Sequence, residues 1–136
     1  MDPKPDCIFC AIAARTGPAE VVEADERAIA FLDISPATRG HTLVIPRIHH
    51  ENLLEIDPDD LAHVAKMAQS IARRMPAALG CDGVNLLNSC GSSAWQTVFH
   101  FHMHVIPRYV DAPLRLPWTP GEPQFDGLAA VAERLR

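Results

Sequence analysis

The sequence lacks several features that would point to particular classes of protein. Its 136 residues include 12 lysines and arginines against 17 aspartates and glutamates, so the formal net charge is -5. This balance argues against a broad nucleic-acid-binding or anionic-membrane surface, for which a basic field is expected. No apolar run approaches the roughly 18 residues of a spanning helix, and residues 1–6 lack the basic and apolar regions of a signal peptide. These absences predict a cytoplasmic protein whose partners are neither nucleic acid nor membrane.

Cysteine is also scarce. Four cysteines in a chain of 136 residues do not indicate a disulfide framework, because a chain of this length can form a core without covalent cross-links. Cys81 and Cys90 are expected to be small buried residues. Cys7 and Cys10 have the spacing common in structural zinc sites, which makes them candidate thiolate ligands. A redox pair, or two reduced thiols at a helix start, are the alternatives.

The order of apolar patterns predicts one α+β domain over residues 1–136, an antiparallel sheet of about five strands with one long helix packed on it and short terminal helices. The predicted strands are residues 21–23, 28–32, 41–46, 83–88 and 96–108. The predicted helices are residues 7–15, 58–79 and 126–136. Residues 1–6 are expected to form a flexible lead, and residues 111–125, with four prolines, an irregular arm.

Capping residues mark the predicted helix ends. Asp6 is placed to cap the first helix, and Asp57 before Pro58 is placed to cap the long one. Pro76 is expected to end or kink the long helix, since proline cannot donate a backbone hydrogen bond. Gly80 lies near its close.

Histidine occupies every second position in the segment from Val98 to Pro107. On a strand this period places three imidazoles on one face, as an open cleft, and an apolar face against the long helix. The histidines are His100, His102 and His104, and the apolar residues are Phe99, Phe101, Met103 and Val105. Four strand steps separate the outer histidines by roughly 13 Å, so one ion is not expected to bind all three. Separate roles as nucleophile, proton donor or phosphate-binding cation are expected instead, with a merely solvated strand face as the alternative.

This segment, His-Phe-His-Met-His-Val-Ile, resembles the signature of the histidine-triad (HIT) nucleotide hydrolases and transferases, in which three histidines alternate with apolar residues. Residues 31–36, 40–46 and 85–88 extend the resemblance, which covers roughly residues 7–109. It implies a HIT-like fold. It also implies a homodimer in which two sheets meet around the long helix and the histidine strand, with Trp118 reaching toward the partner's site.

The resemblance implies a covalent reaction at phosphorus. His102 would attack the α-phosphorus of a nucleoside phosphoramidate, a phosphoanhydride or a dinucleotide polyphosphate, leaving a nucleotidyl-histidine that water cleaves. His104 and His41 match histidines that donate hydrogen bonds to phosphate oxygens. A purine nucleotide or a nucleoside phosphoramidate is the expected ligand. Apart from the resemblance, His102 and His104 are explained as surface residues and His41 as a strand-end histidine.

The same resemblance implies three groups of substrate-binding residues. The phosphate and leaving-group positions are Asn88, Gln96 and Thr97, which are otherwise polar loop residues. The ribose position is Asp33, a carboxylate with two acceptor oxygens, otherwise a turn-initiating residue. The base slot is formed by Ile8, Phe9, Phe31, Leu32 and Ile34, which are otherwise core. Trp95 departs from the family pattern, because many relatives have glycine before the glutamine.

The resemblance finally adds His49 and His100 to Cys7 and Cys10 as ligands of one structural zinc per chain, with His50 as an alternative to His49. Four protein ligands leave no open position for water or substrate, so such a zinc is structural. Two other functions stay open. One is a non-catalytic nucleotide-binding or interaction protein that keeps the fold and the zinc, and the other is a zinc enzyme that uses the histidine triad as ligands.

Overall fold

The computed structural model describes residues 3–115 and 127–136. Its strands are β1 (Val21–Ala24), β2 (Ala28–Leu32), β3 (Thr42–Pro46), β4 (Gly83–Leu87) and β5 (Met103–Arg108). Its helices are α1 (Ile8–Ala13), α2 (Pro58–Leu79) and α3 (Leu128–Leu135), with a 3-10 turn at Ser92–Ala94. The predicted α+β class is confirmed, and so are the antiparallel sheet and the long helix. Residues 116–125 of the predicted arm, including Trp118, and residues 1–2 of the lead lie outside the described residues.

The strand order in the sheet is β1-β2-β3-β5-β4, and every neighbouring pair is antiparallel. Helix α2 covers one face, where Val64 and Ile71 pack with Val44, Phe101 and Val105. Helix α1 lies on the opposite face, in a second cluster that includes Phe9, Ile12, Phe31, Leu43 and Ile45. The strand β5 is therefore enclosed between two strands, with α2 on one side and the α1 face on the other.

The histidine segment is a strand only in its second half. Because β5 begins at Met103, His100 and His102 precede the strand and only His104 lies in it. Phe101 is nevertheless buried against α2, as the alternating pattern predicts. Phe99 is 43% exposed, so the prediction that it packs in the core is wrong, since the strand geometry does not reach that residue. His100 is fully buried, so the predicted open cleft does not extend along the whole histidine row.

The helix caps are partly as predicted. Asp57 caps α2 by accepting from the backbone N–H groups of Asp59 and Asp60, with Pro58 in the first turn. The helix continues through Pro76 to Leu79 and stops at Gly80, which is left-handed at φ 71°, so Pro76 does not end it. The N-cap of α1 is Cys7 rather than Asp6, because the Cys7 sulfur accepts from the backbone N–H of Cys10. No helix in the described part of the chain has both the length and the apolar character needed to cross a bilayer.

Candidate active site and metal-binding cluster

A cavity of about 620 Å³ opens on the α1 face of the sheet. The predicted base-slot residues all line it, namely Ile8, Phe9, Phe31, Leu32 and Ile34. The polar residues Asp33, Thr97, His102 and His104 line the same cavity. One concave site therefore combines an apolar wall with a carboxylate, a hydroxyl and two imidazoles, which is the general make-up of a small-molecule site.

The imidazole of His102 is held in one tautomer. Its Nδ1 lies 2.8 Å from the carbonyl oxygen of His100, and a carbonyl oxygen can only accept, so Nδ1 carries the proton and Nε2 carries the lone pair. Burial lowers the pKa of His102 below its ordinary value, against the opposing effects of this hydrogen bond and of Asp33. The Phe9 ring packs edge-on at a centroid distance of 5.2 Å. His102 is therefore a neutral, oriented ring with one nitrogen available for attack.

His41 and His104 form a second oriented pair. The backbone N–H of Ala37 donates to Nδ1 of His41 at 2.9 Å, so the proton of neutral His41 is on Nε2. That nitrogen lies 2.9 Å from Nδ1 of His104, which must accept and so carries its own proton on Nε2. Burial lowers the pKa of both rings, that of His104 to about 4. The pair is therefore neutral at pH 7, and His104 presents an N–H donor.

Asp33 stands beside this pair. Its Oδ1 accepts from the backbone N–H of Ser35 at 2.8 Å, and its Oδ2 lies 3.6 Å from Nε2 of His41. Candidate ligand atoms of Asp33, His41 and His104 lie within 4.8 Å of one another. A metal would require a lone pair on Nε2 of His41, where the hydrogen-bond pattern puts a proton. The three side chains are therefore a hydrogen-bonded histidine pair with a carboxylate beside it, rather than a metal site.

Asn88 and Gln96 are committed to the backbone around the cavity. Nδ2 of Asn88 donates to the carbonyl oxygen of His102 at 2.9 Å, and its Oδ1 is buried without a partner among the described residues. The Gln96 amide donates to the carbonyls of Glu51 and Val98 and accepts from the N–H of Gly91. Neither side chain lines the cavity, whereas Thr97 does. Contact of Asn88 and Gln96 with phosphate stays a prediction.

Trp95 keeps the loop in a conformation that suits glycine. Its φ of 73° and ψ of 21° lie in the left-handed region, which glycine enters freely and other residues enter at about 1–2 kcal/mol. The tryptophan side chain is more than half exposed. A glycine would adopt this conformation without that cost, so the tryptophan is compatible with the left-handed turn before Gln96.

A second histidine cluster lies next to the cavity. Cys10 Sγ is 3.2 Å from Nδ1 of His49, and Nδ1 of His100 is 3.4 Å from Cys7 Sγ and 3.5 Å from Cys10 Sγ. Tetrahedral zinc with bonds of about 2.3 Å to sulfur and 2.0 Å to nitrogen requires sulfur–nitrogen edges of about 3.5 Å. Nε2 of His100 lies 2.9 Å from the Pro46 carbonyl, so its proton is there and Nδ1 is free to ligate. The predicted donor set therefore fits zinc.

His50, the alternative ligand, points elsewhere. Its Nε2 lies 3.0 Å from Oδ2 of Asp60, and the group of candidate ligands within 4.8 Å contains His49 instead. Of the two alternatives, His49 is thus the one with the position of a ligand. Sequence reasoning missed Asp60, and it also missed the N–H of Ala37 that sets the tautomer of His41. A backbone donor leaves no signal in residue type.

The comparisons with known proteins agree with this geometry. A sequence profile of the HIT domain matches residues 14–111. The Bacillus subtilis protein named Protein hit is 46% identical over 104 residues, which are 76% of this chain and 72% of that protein. A crystal structure of a Streptococcus mutans UA159 protein superposes with a TM-score of 0.90 at 41% identity, over 97% of this chain and 84% of that chain. A Mycobacterium smegmatis crystal structure, described as a Zn-bound histidine triad family protein, gives a TM-score of 0.78 at 42% identity, over 85% and 84% of the two chains.

The five-stranded sheet, the histidine-lined cavity and the cysteine–histidine cluster together define a small α+β protein with a ligand-sized cavity and a zinc-type ligand set. With the matches above, the identification is plain. The chain belongs to the HIT family.

Proposed function

We propose that this protein is a nucleotidyl hydrolase or transferase that acts on nucleoside phosphoramidates or dinucleotide polyphosphates. The observation that carries the proposal is the fixed tautomer of His102 in the cavity wall. Its Nε2 forms a bond to the α-phosphorus while the bond from phosphorus to the leaving group breaks, and the leaving group takes up a proton from solvent water. Water then cleaves the phosphorus–nitrogen bond, which releases a nucleoside monophosphate and restores the imidazole.

His104 and His41 support charge that builds up on the phosphoryl oxygens. The N–H of His104 donates to a non-bridging oxygen, and His41 holds the His104 ring by donating to its Nδ1. A preorganised donor of this kind stabilises the transition state more than the ground state, because the oxygens gain charge as the new bond forms. Asn88, Gln96 and Thr97 complete the phosphate and leaving-group end in this proposal.

The nucleoside occupies the apolar part of the cavity. The apolar side chains that line this part offer contact area but no hydrogen-bonding group for the edge of a base. They are Ile8, Phe9, Phe31 and Ile34. Recognition by area favours the larger base, so a purine nucleotide is the proposed ligand. Asp33 accepts from the ribose hydroxyls in this arrangement.

In this proposal one structural zinc ion is bound by two cysteines and two histidines, namely Cys7, Cys10, His49 and His100. The support is the fit of the donor set, together with the Zn-bound Mycobacterium smegmatis relative. When bound, zinc contributes cross-linking rather than chemistry, since four protein ligands leave no open position. The four residues come from α1 and its N-cap, from the segment after β3 and from the segment before β5.

A homodimer and a cytoplasmic location belong to the same proposal. Strand β5 is enclosed between β3 and β4, so an edge-to-edge contact of two sheets near the histidines must involve β4. That edge carries the exposed side chains Leu86 and Leu87. All four cysteines are unpaired, as a reducing compartment requires.

A non-catalytic nucleotide-binding protein is the second candidate, and Trp95 is the feature that favours it. The left-handed turn at Trp95 weakens that argument, because glycine also adopts this backbone conformation. An oriented nucleophile at His102 has no use in a protein that only binds.

The test of this proposal is nucleotide release. Wild type, His102→Ala and the surface control His63→Ala are incubated with an adenosine phosphoramidate and with a diadenosine polyphosphate, and adenosine monophosphate is measured by chromatography. We expect release from at least one substrate by wild type and by His63→Ala, and none above background by His102→Ala. Equal background with all three proteins would overturn the enzyme and favour the binding protein.

A further inference from the structure

A charged group outside the cavity and the cluster is centred on Asp60, in the first turn of α2. The side chain is buried, and its Oδ1 accepts from Nε of Arg27 at 3.2 Å and from Nη2 at 2.6 Å. Its Oδ2 lies 3.0 Å from Nε2 of His50. A buried carboxylate is costly unless it is paired and hydrogen-bonded, and here both oxygens are satisfied. Burial would raise the pKa of Asp60, but the hydrogen bonds from Arg27 and His50 outweigh it and lower that pKa.

His50 connects Asp60 to both histidines of the metal-binding cluster. It follows His49 directly in the chain, so fixing the His50 ring restricts the backbone that carries the His49 ring. Its carbonyl oxygen accepts from the N–H of Phe101 at 2.7 Å, and Phe101 follows His100. Asp60 therefore contacts His50, which is joined to His49 by a peptide bond. The same His50 is linked to His100 through its hydrogen bond with Phe101 and the peptide bond between Phe101 and His100.

These connections are needed because the ligand segments have no regular structure of their own. His49 and His50 lie between β3 and α2, and His100 precedes β5. Ladder and helix hydrogen bonds do not hold either segment. Asp60 belongs to the 22-residue helix α2, which is packed on the sheet and provides a rigid anchor. Partners behind metal ligands commonly fix the ligands in this manner.

We propose that Asp60, acting through His50, is a positioning residue that holds His49 and His100 at ligand distance from Cys7 and Cys10. The inference rests on the metal-binding role proposed above and extends it to residues that touch neither metal nor substrate. Arg27 keeps the Asp60 carboxylate in place from the turn between β1 and β2. The competing explanation is that this group only stabilises the fold.

The test uses cobalt(II) as a visible probe in the purified full-length protein. The rate of cobalt release to excess EDTA is followed by the loss of the absorption of tetrahedral cobalt, well below the melting temperature. We expect Asp60→Asn and His50→Gln to release cobalt at least about tenfold faster than wild type, in line with the usual effect of removing a partner behind a metal ligand. His63→Gln is the matched control, since it removes the other histidine–aspartate contact of α2, to Asp25.

A second control separates positioning from general stability. Val64 is fully buried on α2, so Val64→Ala lowers the melting temperature through a core cavity, and we expect its cobalt release to stay at the wild-type rate. Release at the wild-type rate from Asp60→Asn and His50→Gln, with only a lower melting temperature, would overturn the positioning role. If Asp60→Asn does not fold, His50→Gln alone decides. A wild type without tetrahedral cobalt absorption would overturn the metal site and this inference together, whatever the outcome at His102.

Discussion

The positions of protons on the histidine rings decide what each ring can do, and backbone groups set those positions. The Pro46 carbonyl accepts a hydrogen bond from Nε2 of His100, which leaves the Nδ1 lone pair facing the cysteines. The His100 carbonyl accepts a hydrogen bond from Nδ1 of His102, which leaves the lone pair on Nε2 for the proposed attack. The backbone N–H of Ala37 donates to Nδ1 of His41, so the proton of His41 is on Nε2, which donates to Nδ1 of His104. Four rings of the same chemistry thereby differ in what they can do: His100 presents a lone pair to the cysteines, His102 presents one to the cavity, and His41 and His104 form a donor pair.

The neutral His41–His104 pair predicts that acid destabilises the protein. Burial lowers the pKa of His104 from its ordinary 6.5 to about 4, so between these values the unfolded chain binds a proton that the folded chain does not. Stability is therefore expected to fall as the pH drops from about 6.5 to about 4. The slope from His104 is below about 1.4 kcal/mol per pH unit, because the ring is partly exposed and water screens it.

Urea unfolding at pH values across this window checks the prediction, with His104→Gln as the comparison. The stability of wild type relative to His104→Gln should decrease steadily toward low pH, since glutamine does not titrate. A constant difference between the two proteins, or one that grows in acid, would contradict the neutral pair.

For single residues, the sequence predicts which side chains lie close together. It does not predict as well which groups each side chain binds. Residue type identifies the alternating histidines, Asp33 and the apolar residues predicted to hold the base. The cavity brings His102 and His104 together with Asp33 and the apolar residues, whereas His100 belongs to the cysteine–histidine cluster. The partners of Gln96 are main-chain groups as far away as Glu51, and nothing in the residue types encodes that contact. The N-cap of α1 also differs from the prediction. The sulfur of Cys7, rather than the carboxylate of Asp6, accepts the hydrogen bond from the backbone N–H of Cys10.

Among the elements, α1 depends most on its surroundings. It has only six residues, far fewer than an isolated helix needs in water. Phe9 and Ile12 pack it on the sheet, and Arg47 donates to the carbonyl of Ala13 at 2.7 Å. Cys7 and Cys10 are its link to the metal-binding cluster. Because Ile8 and Phe9 also line the cavity, a loss of order in α1 would open the apolar part of the cavity.

Metal removal is therefore expected to act on stability before chemistry. Treatment of metal-loaded protein with EDTA should lower the melting temperature by more than about 5 °C, which corresponds to the order of 1–2 kcal/mol for a chain of this size. Differential scanning calorimetry measures the change. The double variant Cys7→Ser, Cys10→Ser should have a lower melting temperature than metal-loaded wild type, and EDTA should not change it further. Cys90→Ser should behave as wild type. Loss of turnover with an unchanged melting temperature would instead indicate a catalytic metal.

The elements themselves were predictable where periodicity and hydrogen bonding agree. The pattern of α2 and its Asp57 cap predict that helix correctly, because both signals are local. The start of β5 was not predictable, since residues with a period of two can be extended without joining a ladder. Phe101 donates to His50 in the segment after β3, and the His100 ring donates to the carbonyl of Pro46 at the end of β3. These contacts hold the two residues in place without making them part of the strand ladder.

In the whole molecule, the two faces of the sheet carry different features. The α2 face carries the larger core, and the α1 face carries the cavity and the cysteine–histidine cluster. The sheet still has an edge at β4, where Leu86 is 49% and Leu87 38% exposed. Apolar side chains on an open strand edge are a common site of association between copies of a chain.

This edge predicts a dimer that charge can break. Size-exclusion chromatography with light scattering should give wild type twice the chain mass of 14.9 kDa. Leu86→Lys and Leu87→Lys should shift the protein to the single-chain mass, because a buried unpaired charge costs more than the apolar contact gains. Leu54→Lys is the control, since that side chain is 85% exposed in the segment before α2. A wild type that elutes as a single chain would refute the dimer.

The central claim, attack by Nε2 of His102 on phosphorus, is tested most directly by trapping the intermediate. Protein mixed with an adenosine phosphoramidate is quenched in alkaline denaturant within the first turnover, digested and examined by mass spectrometry. We expect one adenylyl group on the peptide that contains His102 in wild type, and none in His102→Ala. Release of adenosine monophosphate with no adduct on that peptide, or an adduct on a different residue, would contradict the account.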